Sequence, residues 1–105
     1  TLPETNECFI LNLDDNNGKG THWCCIISGL YFDSFGLSPP NEVINRVKRY
    51  NNIQYQEKTS VLCGYFCLFF IKKIQEGFSY YDILYKELTP FNPIENEKII
   101  INYFI

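Results

Sequence analysis

Residues 22–33 read HWCCIISGLYFD. Two apolar runs, His22 to Ser28 and Leu30 to Asp33, flank Gly29. Runs of this length rich in β-branched and aromatic residues favour strands. A glycine between them supplies the positive φ that a tight hairpin needs. The stretch therefore predicts an antiparallel hairpin turning near Gly29. Upstream, Glu7 to Leu13 (ECFILNL) alternates polar and apolar residues and predicts a third strand. Asp14 to Gly20 (DDNNGKG) predicts a turn or loop, because its residues tolerate positive φ or bond their own backbone. The first third of the chain is thus read as a small antiparallel sheet.

Downstream the pattern changes. Ser34-Phe35-Gly36 interrupts the strands, and Ser38-Pro39-Pro40 resembles a helix entry. Asn41 to Arg49 places Val43, Ile44 and Val47 at helical spacing, which predicts a helix ended by Asn51-Asn52. Ile53 to Tyr55 is a short strand candidate, and Glu57 to Ser60 a polar loop. From Cys63 the run CGYFCLFFIKKIQEG predicts a buried helix, charged only near its end and closed by Gly77. Ser79 predicts the cap of a helix over Tyr80 to Leu88, broken by Pro90 and Pro93. Glu95 to Ile105 reads as a last helix in preference to a strand. Strands first and helices after give an α+β class: a small, mostly antiparallel sheet packed against helices.

The 105 residues fit one domain and no second of normal size. With 46% apolar and 20% charged residues the chain has enough apolar surface to fold, which excludes disorder. The longest apolar stretch, Val61 to Ile71, is too short to cross a bilayer, so no membrane partner is expected. Pro3, Glu4, Asn6 and Glu7 stand where a secretory signal would be apolar, and a non-secreted protein is expected. Thr1 in place of Met leaves a processed or N-terminally shortened chain open. A net charge of −3 argues against a binder of phosphate backbones, so a DNA partner is not expected. Arg46, Lys48 and Arg49, like Lys72 and Lys73, read as solvated helix faces. Five cysteines, an odd count without a signal, argue for a reducing compartment and against a disulfide framework. No C-x-x-C occurs and the spacing fits no common zinc ligand set, so no metal or other cofactor is expected. Asn, Ile, Lys, Tyr and Phe make up nearly half the chain while Ala and Met are absent. That bias points to AT-rich codons, as in some viruses, protists and mobile elements.

Chemistry is concentrated in a few residues. His22, the only histidine, opens a strand directly after the Gly-rich loop. The hairpin brings Asp33 to the same end of the sheet, where a carboxylate could orient the imidazole. Taken alone, Asp33 also reads as a turn-initiating residue, and Trp23 as a core residue. Cys63 stands at the start of the buried helix, where backbone N–H groups and the helix dipole favour a thiolate. Gly64 permits close backbone approach by a substrate. Cys67, one turn deeper, reads as a packing thiol. Gln56, seven residues before Cys63, is a neutral donor that could join the Cys63 N–H in an oxyanion hole.

Three segments, Gly20-Thr21-His22-Trp23, Tyr31 to Gly36 (YFDSFG) and Gln56 to Cys67 (QEKTSVLCGYFC), resemble the adenovirus-type maturation cysteine proteases (adenain-like). That family lies within the wider group containing the ubiquitin-like-protein proteases. There a His-Trp pair begins a strand, an acidic residue ends the next, and a Gln precedes the Cys-Gly by seven residues. The resemblance implies a thiol protease core of papain-like type in permuted order, with the nucleophile at the N-terminus of a central helix. It implies Cys63 as nucleophile, His22 as general base and acid, Asp33 as its orienting carboxylate and Gln56 in the oxyanion hole. Trp23 and Gly64 would line the substrate groove. Gln54 competes with Gln56, and only the seven-residue offset favours the latter. The chain is shorter than the adenoviral enzyme, so N-terminal substrate-binding elements are open to question. It is also acidic where that enzyme is basic.

The function implied is an endopeptidase of 1–105 cutting viral or mobile-element capsid precursors during particle maturation, with virophages among the sources. The expected setting is the virion and the infected cell's cytoplasm or virus factory. A monomer is expected, with a protein substrate and room for an activating peptide. The rivals are removal of ubiquitin-like modifiers by the same chemistry, and a binding module of this fold without turnover.

Overall fold

Strands form where the sequence alternates or runs apolar. β1 (Cys8–Asp14) and β2 (Thr21–Ile27) pair antiparallel, from Cys8 opposite Ile27 to Asp14 opposite Thr21. β2 turns back into β3 (Leu30–Phe32) with Cys25 opposite Phe32. The two turn residues, Ser28 (φ 52°) and Gly29 (φ 82°), both take positive φ. That geometry matches the right-handed twist of the flanking strands. The computed structural model describes residues 7–14 and 21–105. The expected turn beyond Asp14, and Thr1, Pro3, Glu4 and Asn6, lie outside the described residues.

A fourth strand, β4 (Arg49–Tyr50), joins β3 in parallel, giving the order β1-β2-β3-β4. It lies where a helix over Asn41 to Arg49 was expected. Only Ile44–Arg46 winds, as a single 3₁₀ turn. The Gly29 carbonyl accepts from the N–H groups of Lys48 (2.7 Å) and Arg49 (3.3 Å). The open edge of β3 thus captures the end of the predicted helix, and tertiary pairing overrides local propensity. Val43 and Val47 keep their shared face and cover Cys24, Ile26 and Tyr31 on the outer side of the sheet. The strand expected at Ile53 to Tyr55 is instead a connecting segment. Its backbone bonds run to Ser34, whose carbonyl accepts from Tyr55 N–H (2.7 Å) and Gln56 N–H (3.0 Å).

The inner face of the sheet, Cys25, Ile27 and Phe32, packs on α1 (Cys63–Gln75). α1 buries Phe66, Cys67, Phe69, Phe70 and Ile71, and Phe70 stacks on Phe32 at 4.9 Å between ring centroids. Gly77 (φ 98°) ends it, with Phe78 N–H returning to the Lys73 carbonyl (3.1 Å). That is the glycine-terminated stop the sequence announces. α2 (Tyr80–Asp82) starts under the Ser79 cap, whose Oγ accepts from Asp82 N–H. The helix expected to reach Leu88 widens over Ile83–Glu87 into a π turn, closed by Leu88 N–H on the Ile83 carbonyl (2.9 Å). The Leu84 carbonyl there accepts from Tyr55 Oη at 2.8 Å. α3 (Pro93–Phe104) begins with Pro93 behind an Asn92 cap. Its buried Asn96 bonds the Tyr55 carbonyl (3.1 Å) and both backbone groups of Thr89, so α3 pins the segment that leads into Gln56. No described helix is long and apolar enough to cross a membrane.

Candidate active site

The strand register places the first pair of site residues. Phe32 opposes Cys25, so Asp33 emerges beside Cys24, and His22, two residues further along β2, is its diagonal neighbour on the same face. His22 Nε2 lies 2.8 Å from Asp33 Oδ1. A carboxylate only accepts, so the proton of this bond sits on Nε2 and Nδ1 is the basic nitrogen of the neutral ring. Nδ1 and Asp33 Oδ2 are buried and take no hydrogen bond among the described residues. The His22 side chain keeps 14% of its surface exposed, and Asp33 keeps none.

Asp33 is held from three directions. Its Oδ1 accepts from Phe35 N–H (2.8 Å), and its N–H and carbonyl both bond the Asn51 side chain (2.9 and 2.6 Å). The turn-initiating role and the histidine-pairing role of Asp33 therefore coexist on one oxygen. The Phe35 ring stacks on the imidazole, with centroids 4.5 Å apart. Phe35 and Asn51 were not legible as site residues. Asn51 read as a helix stop and Phe35 as part of a chain break.

Cys63 is the first residue of α1 and is 5% exposed. Burial pushes the Cys24 thiol, which faces the outer side of the sheet, up to about 12, and the Tyr31 hydroxyl that donates to its sulfur offsets part of that rise. Burial also holds Cys25 well above the usual thiol range.

Gln56 is fully buried. Ser34 Oγ donates to its Oε1, and its Nε2 donates to the Ser60 carbonyl at 3.0 Å. One of the two amide hydrogens is thus used to close the turn that leads to Cys63. Ser60 Oγ in turn accepts from Leu62 N–H (3.1 Å). Gln54 is a brace, donating from Nε2 to the Gln56 carbonyl (2.7 Å). Trp23 is half-buried and packs against the main core. A Cβ at Gly64 would meet nothing within 4 Å, so open space adjoins the α1 N-terminus there. Among the described residues no three His, Cys, Asp or Glu side chains converge as metal ligands would.

The chain is similar to viral cysteine proteases. It is 28% identical over 107 aligned positions to the cysteine protease of a Malawi tick isolate of African swine fever virus, an alignment covering 79% of this chain and 39% of that protein. It is 28% identical over 104 positions to the SUMO-1 cysteine protease of a Namibian warthog isolate of the same virus, covering 76% and 38%. The chain therefore spans about two fifths of the length of these relatives. No family model matches it, and no solved structure does. These relatives are named as viral cysteine proteases, and neither is named as of the adenovirus type.

Proposed function

We propose that this chain carries the catalytic centre of a viral thiol endopeptidase, with Cys63 as nucleophile, His22 as base and acid, Asp33 as the orienting carboxylate and Gln56 as an oxyanion donor. The observation that carries this reading is the 2.8 Å bond from His22 Nε2 to a fully buried Asp33. It fixes the tautomer that leaves Nδ1 to take a proton. His22 Nδ1 removes the Cys63 proton, and the thiolate attacks the scissile carbonyl. The negative oxygen of the tetrahedral intermediate takes hydrogen bonds from Cys63 N–H and from the second Gln56 amide hydrogen. Collapse breaks the C–N bond as His22 returns the proton to the leaving amine. Water, deprotonated by His22, then hydrolyses the thioester and frees the acid. Gly64, beside open space, lets the substrate backbone approach, and Trp23 flanks the groove.

The substrate we propose is a structural precursor polypeptide cut during particle maturation in an infected cell, with adenovirus-type proteases as the nearest analogy in mechanism. A second reading, removal of a ubiquitin-like modifier, is favoured by the warthog-isolate relative, which is named a SUMO-1 cysteine protease. The two separate in one assay, in which the protein is incubated with a capsid precursor from the same genome and with a SUMO-1 fusion. Cleavage of the precursor, lost by about 10³-fold or more in Cys63→Ala, supports the first. Cleavage of the fusion alone supports the second. If neither is cut and Cys63 alkylates no faster than buried Cys67, both fail and a binding module of this fold takes their place.

A further inference from the structure

Beside the His22–Asp33 pair lies a shallow hollow of about 230 Å³, lined by Phe35, Leu37, Gln54 and Lys58. Its walls belong to the two segments that carry the site. Phe35 is the ring stacked on His22. Gln54 is tied to the Gln56 backbone, and Lys58 stands in the turn that the Gln56 amide closes on Ser60. The hollow therefore lies beside the ring that stacks on the imidazole and against the backbone segment that leads into Gln56.

Its chemistry is specific. Phe35 and Leu37 give an apolar floor, and Leu37 is 55% exposed. Lys58 is exposed and makes no ion pair among the described residues. No acidic residue lines the hollow.

Its position selects which part of a substrate it meets. Resting on the protease reading above, His22 hands its proton to the leaving amine while Gln56 holds the carbonyl oxygen. A hollow walled by the ring stacked on His22 stands on the side of the segment that leaves with that amine. We infer that it is a subsite for this leaving segment: Phe35 and Leu37 seat one side chain of leucine or isoleucine size, and Lys58 takes a carboxylate next to it. Apolar contact sets most of the preference, because an apolar side chain gains with every methylene it buries, whereas an exposed ion pair adds only a few-fold.

The test uses internally quenched peptides sharing one acyl side that ends in Gly-Gly, with leaving segments beginning Leu-Asp, Leu-Lys or Gly-Asp. An aminocoumarin amide of the same acyl side has no leaving segment and reports the chemistry alone. The expected kcat/KM is about tenfold higher for Leu-Asp than for Gly-Asp, and about threefold higher than for Leu-Lys. Lys58→Glu is expected to invert the Asp-over-Lys preference, and Leu37→Asp to erase the Leu-over-Gly preference. Each is a ratio within one variant, so a loss of folded or active protein cancels. Cleavage of the aminocoumarin amide by the wild type, with peptides cut at equal rates, overturns the subsite and leaves the protease standing. Preferences that survive both substitutions overturn it too. No cleavage of either probe by the wild type overturns the protease reading and the subsite with it.

Discussion

The pairing of His22 with Asp33 asks most of a single carboxylate. Asp33 has no contact with solvent, and its carboxylate accepts from His22 Nε2 and from the Phe35 N–H. Replacing it with Asn preserves shape but removes the charge that favours the Nε2–H tautomer and stabilises the imidazolium. Asp33→Asn is expected to lower kcat/KM by about 10²–10⁴-fold with KM nearly unchanged, as steady-state kinetics on a cleaved precursor would show. A loss under fivefold would mean that the pair is structural. The sequence made this pair legible because a hairpin of known turn position fixes which residues are diagonal neighbours. It did not reveal Asn51, 18 residues beyond Asp33. Nothing in a local pattern says that an asparagine will abandon its own turn to bind a distant backbone.

At the level of elements, the same contrast recurs. α1 and its glycine stop and the Ser79 cap are written in neighbouring residues, so they were readable, whereas Pro93, read as a breaker of the preceding helix, is the first residue of α3. β4 was not, because it exists only where the β3 edge lies alongside. Two glycines show how differently such joints tolerate change. A Cβ at Gly29 (φ 82°) would approach Lys48 Cγ at 2.8 Å, so the Lys48 side chain must turn away from near its base. A Cβ at Gly36 (φ 78°) would meet the Ile53 carbonyl carbon and oxygen at 2.9 Å, which are backbone. Gly29→Ala is expected to cost about 1–2 kcal/mol, from positive φ and the shift of Lys48, and Gly36→Ala, against backbone that cannot turn away, about 2–3 kcal/mol. Urea unfolding midpoints would check the order, and equal losses would show that the Gly36 crossing relaxes freely.

For the whole molecule, the buried thiols and phenols set a limit at alkaline pH. Cys24 is pushed from 9.0 up to about 12, and burial also raises Cys25, Tyr31, Tyr55 and Tyr80. The unfolded chain releases the Cys24 proton near pH 9 while the folded chain holds it, so over that interval the unfolded state binds fewer protons. Stability is therefore full below about pH 9 and falls as pH rises toward about 12. A Tm measured by circular dichroism should decline steadily above about pH 9, and a flat profile up to about pH 11 would contradict the burial of these groups. The path from Asp33 to Cys63 carries a different consequence. It runs through Ser34 to Gln56, on to Ser60, and from Ser60 to Leu62 at the threshold of α1. These bonds are wired in series. The alignment of the far end is only as good as the slackest link, and two serines with no role in bond-breaking become tolerances on which the whole assembly is set.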